Sequence, residues 1–196
     1  MVFLIWVILL RGAVVILCLV QACSLRLHCA EGSTGTVMEE KAAQKPVVLL
    51  RDAHLAERLS LEDLQWRASL VHPAYHDALL EDRGIVHLPL GHLADGGGIV
   101  AEIYGKVVGF AIMLTVGGGV SELEGLFVEP EMAGQGVGRV LVDETRRRAK
   151  LSGAVQLRVV AALETEGFYR RCGFELVGEM ETLLGNALVM VLMLRD

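Results

Sequence analysis

The strongest constraint on this chain is the run from Val120 to Val160, where a strand pattern, a glycine-rich loop, an amphipathic helix pattern and a second strand pattern follow without a spacer. VSELEGLFVEP (120–130) reads as a strand that ends before Pro130, because proline has no N–H to give to a ladder. Next come the loop Ala133-Gly134-Gln135-Gly136-Val137-Gly138-Arg139 and a helix, VGRVLVDETRRRAKLSG, with Val137, Val140, Leu141 and Leu151 as its apolar stripe and Gly153 as its stop. AVQLRVV then alternates as a strand. A crossover of this kind closes right-handed and sets its two strands parallel.

The flanks supply the rest of the sheet. VVLL after Pro46 reads as a first strand, and Leu55, Leu59, Trp66 and Leu70 recur at roughly helical spacing, which predicts two helices before Pro73. Residues 98–114 predict a hairpin turning at Gly105 and Lys106, with glycine triplets at 96–98 and 117–119 as flexible turns. ETEGFYRRC reads as a short helix closed by Gly173, and FELVG and ALVMVLML as two last strands. The expectation is one mixed α/β domain of about 150 residues with a mostly antiparallel front half.

Composition excludes several function classes. Eighteen Lys and Arg against twenty-four Asp and Glu give no global basic field, so no nucleic-acid partner is expected and any polyanion must be held locally. Cys18, Cys23 and Cys29 lie near the start and Cys172 alone lies in the remainder, so no disulfide framework supports the domain, whose chemistry reads as cytoplasmic. His72, His76, His87 and His92 invite a metal, yet Pro73 breaks the helix that would put the first two on one face, and pocket lining or plain surface fits better. Arg146, Arg147 and Arg148 read as a solvated helix face.

The first thirty-odd residues stand apart. Met1 to Val20 is apolar except for Arg11, and a helix of that length spans roughly 30 Å, one hydrocarbon core. Its Leu, Ile, Val and Phe residues, at roughly −0.3 to −0.6 kcal/mol each, outweigh one central arginine at about +2.5 to +3.5 kcal/mol. A signal anchor is therefore allowed, and Arg26 favours a cytoplasmic domain behind it. The alternative is an over-extended translation start, with Met38 opening the soluble protein; residues 1–37 and 38–196 are thus read as separate units. The membrane is a partner only if residues 1–20 are a real anchor.

The glycine loop is an anion cradle. Amides at a helix N-terminus lack intrahelical acceptors, the helix dipole favours negative charge there, and glycines let a phosphate approach the backbone. It is not a P-loop, because GK[ST] is missing, and the dinucleotide fingerprint fails at Arg139.

Leu126-Phe127-Val128-Glu129-Pro130, then Gly134 to Arg139, then Gly167-Phe168-Tyr169-Arg170-Arg171-Cys172-Gly173-Phe174, in this order and separation, resemble the GCN5-related N-acetyltransferase (GNAT) family over roughly residues 47–194. The resemblance implies a GNAT-like mixed, mostly antiparallel sheet with a splayed parallel strand pair flanked by helices. It implies acetyl-CoA as co-substrate, its pantetheine along Leu126, Phe127 and Val128, its pyrophosphate on Gly134, Gln135, Gly136, Val137, Gly138 and Arg139, and no metal. Ala133 stands where many members carry Arg or Gln, and Ala162 where an Asn often contacts the cofactor.

Acyl transfer to an amine needs a neutral nucleophile, and deprotonating a lysine-like amine at pH 7 costs about 4.6 kcal/mol. Glu122 and Glu124 sit two residues apart on one strand face, so either could serve as base. Glu122 matches the family's glutamate base and comes first, Glu124 second; solvated strand carboxylates are the plain alternative. Tyr169 resembles the family's tyrosine acid for the leaving thiolate, against a purely structural aromatic anchor. Cys172 has no histidine after position 92 to pair with in sequence and is no nucleophile. The implied function is N-acetyl transfer from acetyl-CoA to a primary amine of a small molecule or protein by direct attack in a ternary complex; the alternative is a non-catalytic acyl-CoA sensor or interaction module on the same fold.

Overall fold

Strands β1 (Leu49–Asp52), β2 (Gly98–Ile103), β3 (Lys106–Gly117), β4 (Val120–Val128), β5 (Gln156–Ala162), β6 (Glu175–Thr182) and β7 (Gly185–Met193) form one sheet in the order β1-β2-β3-β4-β5-β7-β6. The structure is a computed structural model that describes residues 46–182 and 185–194. The apolar segment 1–20 and the residues following it to 45 lie outside the described residues, as do residues 183–184 and 195–196. Among the described residues no helix is long and apolar enough to cross a membrane.

Every pairing is antiparallel except β4 with β5, which join through Val120–Leu123 and Gln156–Val159. The crossover between them is α4 (Val137–Leu151), so the strand, loop, helix, strand unit stands as expected. The fold is the mixed, mostly antiparallel α/β sheet with one parallel pair and flanking helices. The β2–β3 hairpin turns on Tyr104 and Gly105, both at positive φ (51° and 74°), one position earlier than the sequence suggests. A two-residue turn with left-handed φ at both positions matches the twist of the strands it joins.

Strand alternation sorts the core into two clusters, one on each face of the sheet. On one side Leu123, Leu126 and Val128 of β4 pack with Val137, Leu141 and Val142 of α4 and with Phe168 and Tyr169 of α5 (Glu166–Arg171). On the other, Phe110 and Phe127 meet with ring centroids 5.0 Å apart beneath Leu61, Leu64 and Ala68 of α1 (Arg58–Leu70) and Leu79 of α2 (Pro73–Glu81). The short helix α3 (Leu90–Ala94) borders that second side through Leu93.

Two details of the sequence reading need correction. Before Pro73 a single turn (Leu55–Glu57) runs directly into one helix, not two, and Pro73 itself opens α2, where its missing N–H costs nothing. Leu55 and Leu59 are exposed, and the buried stripe is Leu61, Leu64 and Ala68. In α4 the buried positions include Val137, Gly138, Leu141, Val142, Thr145 and Ala149, while Leu151 is 74% exposed. A stripe advancing at i, i+4, i+8 has moved round the helix by residue 151.

Candidate functional site

The site begins where β4 and β5 part. Their pairing ends at Leu123 and Val159, although β4 runs on to Val128 and β5 to Ala162. The next residue, Glu124, is a β-bulge: Ile112 pairs with Gly125 and Met113 with Leu123, leaving Glu124 as the extra residue on β4. Bulges re-aim side chains and bend strands. This one shifts the alternation by one residue, so that Leu123, Leu126 and Val128 all face α4.

Beyond the bulge, β4 has β3 on one edge and the opened gap on the other. Glu129 N–H donates to the Val108 carbonyl at 2.9 Å, and antiparallel pairing alternates, so Phe127 also turns its main-chain groups to β3. Leu126 and Val128 turn theirs to the gap. These two therefore offer an edge on which an extended chain can pair. Phe127, expected with them, does not: its main chain is committed to β3 and its ring to Phe110.

The strand end leads into the glycine loop. A cleft of about 210 Å³ lies against it, with Val128, Gly134, Gly136, Val137, Gly138 and Arg139 on its walls. Gly134 and Gly136 have φ of 76° and 91°, which side-chain-bearing residues rarely adopt, and a Cβ added at Gly134 would meet nothing within 4 Å. The amides of Val137, Gly138 and Arg139 are in the first turn of α4, where no intrahelical acceptor exists. Gln135, expected in the cradle, is turned away: its N–H donates to the Met132 carbonyl and its side-chain amide to the Glu131 carbonyl.

Sequence reasoning missed the opposite wall. Phe168, Arg171 and Cys172 of the FYRRCGF segment line the same cleft, and Arg139 donates to the Arg171 carbonyl at 2.6 Å. Arg139 and Arg171 thus bring two cations to a loop whose first position, Ala133, has none. The signal was present in the spacing: one turn of α5 separates Phe168 from Arg171 and Cys172. Burial pushes the Cys172 thiol up to about 11, which keeps it protonated. Ala162 is buried at the end of β5, its carbonyl accepting from the Thr165 hydroxyl at 2.6 Å.

The two candidate bases have different surroundings. Glu122 is hydrogen-bonded to the guanidinium of Arg158, its partner in the parallel register. Glu124 is mostly buried, and desolvation, reinforced by the nearby Glu122 charge and opposed by Arg158, pushes its carboxyl up to about 7. It lines a narrow cleft on the α1 face with Gln65, His87, His92, Ile112 and Phe127. Burial holds the His92 imidazole below its ordinary range, although Asp95 pulls the other way. His72 is buried elsewhere, its Nε2 2.9 Å from Glu164 Oε2. Tyr169 is fully buried between Phe168 and Phe174, with ring centroids 5.1 and 5.2 Å away.

The arrangement suits a molecule with a diphosphate and an extended tail: the diphosphate has first-turn amides and two arginines, and the tail has the free edge of Leu126 and Val128. Residues 94–176 match the family model described as an acetyltransferase (GNAT) domain. An uncharacterized N-acetyltransferase of Methanocaldococcus jannaschii is 32% identical over 90 residues, covering 41% of this chain and 40% of that one, so the chain spans less than half the length of this curated relative. The PaiA N-acetyltransferase of Thermoplasma acidophilum, solved in complex with coenzyme A, superposes with a TM-score of 0.63 at 15% identity, over 75% of this chain and 99% of that one. YncA of Salmonella typhimurium, solved with its cofactor acetyl-CoA, gives 0.57 at 18% identity, over 76% and 95%. At these identities the likeness to the solved structures is one of fold. Residues 94–176 match the GNAT acetyltransferase domain, and the sheet and helices built around them share the fold of these solved acetyltransferases.

Proposed function

We propose that this domain transfers an acetyl group from acetyl-CoA to a primary amine by direct attack in a ternary complex. The observation that carries the reading is a coincidence of place: the open edge of β4, the cradle at its far end and the raised carboxyl of Glu124 at its near end lie on nine consecutive strand residues and the turn that follows. The solved relatives with coenzyme A or acetyl-CoA support the choice of co-substrate.

In this reading the amides of Val137, Gly138 and Arg139 bind the pyrophosphate, and Leu126 and Val128 pair with pantetheine so that the thioester reaches the gap. Glu124 is the base. The reversal of the expected order rests on Arg158, which holds Glu122 as an ion pair. A base titrating near 7 is matched to a proton transfer at neutral pH. The amine nitrogen bonds to the acetyl carbon, the carbon–sulfur bond breaks, one amine proton passes to Glu124 and the thiolate takes a proton.

Tyr169 is the proposed donor to that thiolate. A phenol near 10 giving its proton to a thiol near 8.5 runs uphill by about 2 kcal/mol, so hydrogen-bond donation is its part, and positioning, worth roughly 7 to 11 kcal/mol, supplies more of the rate. The acceptor is a small-molecule or protein amine held on the α1 face. A cytoplasmic location belongs to the same proposal, supported by the free thiol of Cys172.

The second reading, an acyl-CoA sensor without turnover, is favoured by Ala133 and Ala162. One assay separates the two. The full chain is incubated with acetyl-CoA and an amine panel while free thiol is followed. Amine-dependent release supports the transferase; tight coenzyme A binding without release for any amine supports the sensor.

A further inference from the structure

We infer that Gln65 is a specificity-determining residue that holds one N–H of the acceptor amine and thereby selects primary over secondary amines. The inference rests on the proposed role of Glu124 as base.

Gln65 lies on α1, 5% exposed, and lines the same cleft as Glu124, which reaches it from β4. Its side-chain oxygen is buried and has no hydrogen-bond partner among the described residues. A buried amide oxygen left unpaired costs free energy, and native proteins seldom keep one without use for it. The cleft has room for about 20 Å³. One water needs roughly 10–15 Å³, so the deepest part of the cleft takes about a single non-hydrogen atom, such as the amine nitrogen itself. Ile112 and Phe127 close its walls with apolar surface.

A neutral primary amine carries one lone pair and two N–H bonds. For the lone pair to face the acetyl carbon, both N–H bonds need acceptors off that line. Glu124 takes one, and its proton leaves during attack. Gln65 Oε1 accepts the other, and that N–H stays with the nitrogen in the product amide. The carbon–nitrogen bond forms as the carbon–sulfur bond breaks, and the departing thiolate is protonated separately, so the count closes. A neutral secondary amine has a single N–H, which the base must remove. Gln65 Oε1 then stays unpaired.

The test compares kcat/KM for benzylamine, n-butylamine and an alanyl tripeptide amide with their N-methyl counterparts, using the full chain. The wild type is expected to favour each primary amine it uses by at least about tenfold over its counterpart. Gln65→Met, similar in length but without the oxygen, should lose about fivefold on primary amines, chiefly in amine KM, with coenzyme A affinity unchanged and the preference narrowed. Gln65→Glu keeps an oxygen acceptor and should keep the preference. An equal preference in wild type and Gln65→Met, or a loss of coenzyme A affinity in Gln65→Met, overturns the assignment. Glu124→Gln reports on the underlying reading: it should depress both amine classes together, and if it leaves both unchanged the base assignment fails independently of Gln65. A wild type that releases no thiol with any of these amines removes both.

Discussion

Glu122 and Arg158 face each other across the parallel β4–β5 pair, register partners joined by a hydrogen-bonded ion pair on the last paired stretch before the strands separate. Two residues further along β4, Glu124 has lost β5 as a neighbour and titrates near 7. Two carboxylates one turn of the pleat apart thus take different parts, the first neutralised by an arginine and the second kept protonatable.

Glu124→Gln should lower kcat by roughly 10² to 10⁴, the usual contribution of a positioned base. In the wild type, activity should rise with pH through about 7 as the carboxylate forms, and the variant should lose that limb. Glu122→Gln removes a charge that raises the Glu124 carboxyl, so the limb should move to lower pH. A pH–rate profile that ignores both substitutions removes Glu124 from the mechanism.

The same group makes stability depend on pH. Its folded carboxyl titrates near 7, against an ordinary value of 4.5, so as pH rises the unfolded chain loses its proton first. Stability therefore falls between those values and levels off above 7. At 1.36 kcal/mol per unit the loss is about 3 kcal/mol. Glu124→Gln is spared it, and should melt several degrees above wild type at pH 8 with the gap closing below pH 4.5. Melting curves across this range decide the matter, and a gap independent of pH would contradict the raised carboxyl.

Tyr169→Phe keeps the ring that packs edge-on against Phe168 and Phe174 and removes only the hydroxyl. If that hydroxyl serves the leaving thiolate, kcat should fall by roughly 10² or more while coenzyme A affinity holds. Calorimetric titration distinguishes this from a structural part, for which coenzyme A binding or the melting temperature would collapse instead.

Gly136→Val places a β-branched residue at φ 91° at the head of α4 and a side chain against the cradle. Coenzyme A affinity should drop by more than about tenfold through direct obstruction, while left-handed strain of roughly 1 to 2 kcal/mol lowers stability. Unchanged affinity in a folded variant would remove the cradle assignment.

Much of this was legible in the residues themselves. The crossover unit, the glycine cradle and the parallel pair follow from strand and helix periodicities that sit next to each other in sequence. What was hidden depended on contacts between distant segments. The bulge at Glu124 exists only as a mismatch between β3 and β4, so nothing in SELEG announces it. The proposed priority of Glu124 over Glu122 depends on Arg158, thirty-six residues beyond Glu122 and brought alongside by the crossover. Gln65 carried no signal in the sequence, because the predicted stripe ran through Leu55 and Leu59, which are exposed, and so misplaced the buried side of α1.

The gap between β4 and β5 has a further consequence for how the protein keeps itself intact. Interior strand edges with unspent amides and carbonyls are adhesive, and proteins ordinarily cover or charge them. In the proposed reading the covering piece is borrowed: the thioester's own tail supplies the absent rung, so an enzyme at work is also an enzyme with its sheet completed. On that reading the cellular level of acyl donor also sets, by mass action, how much of the population stands with that seam open.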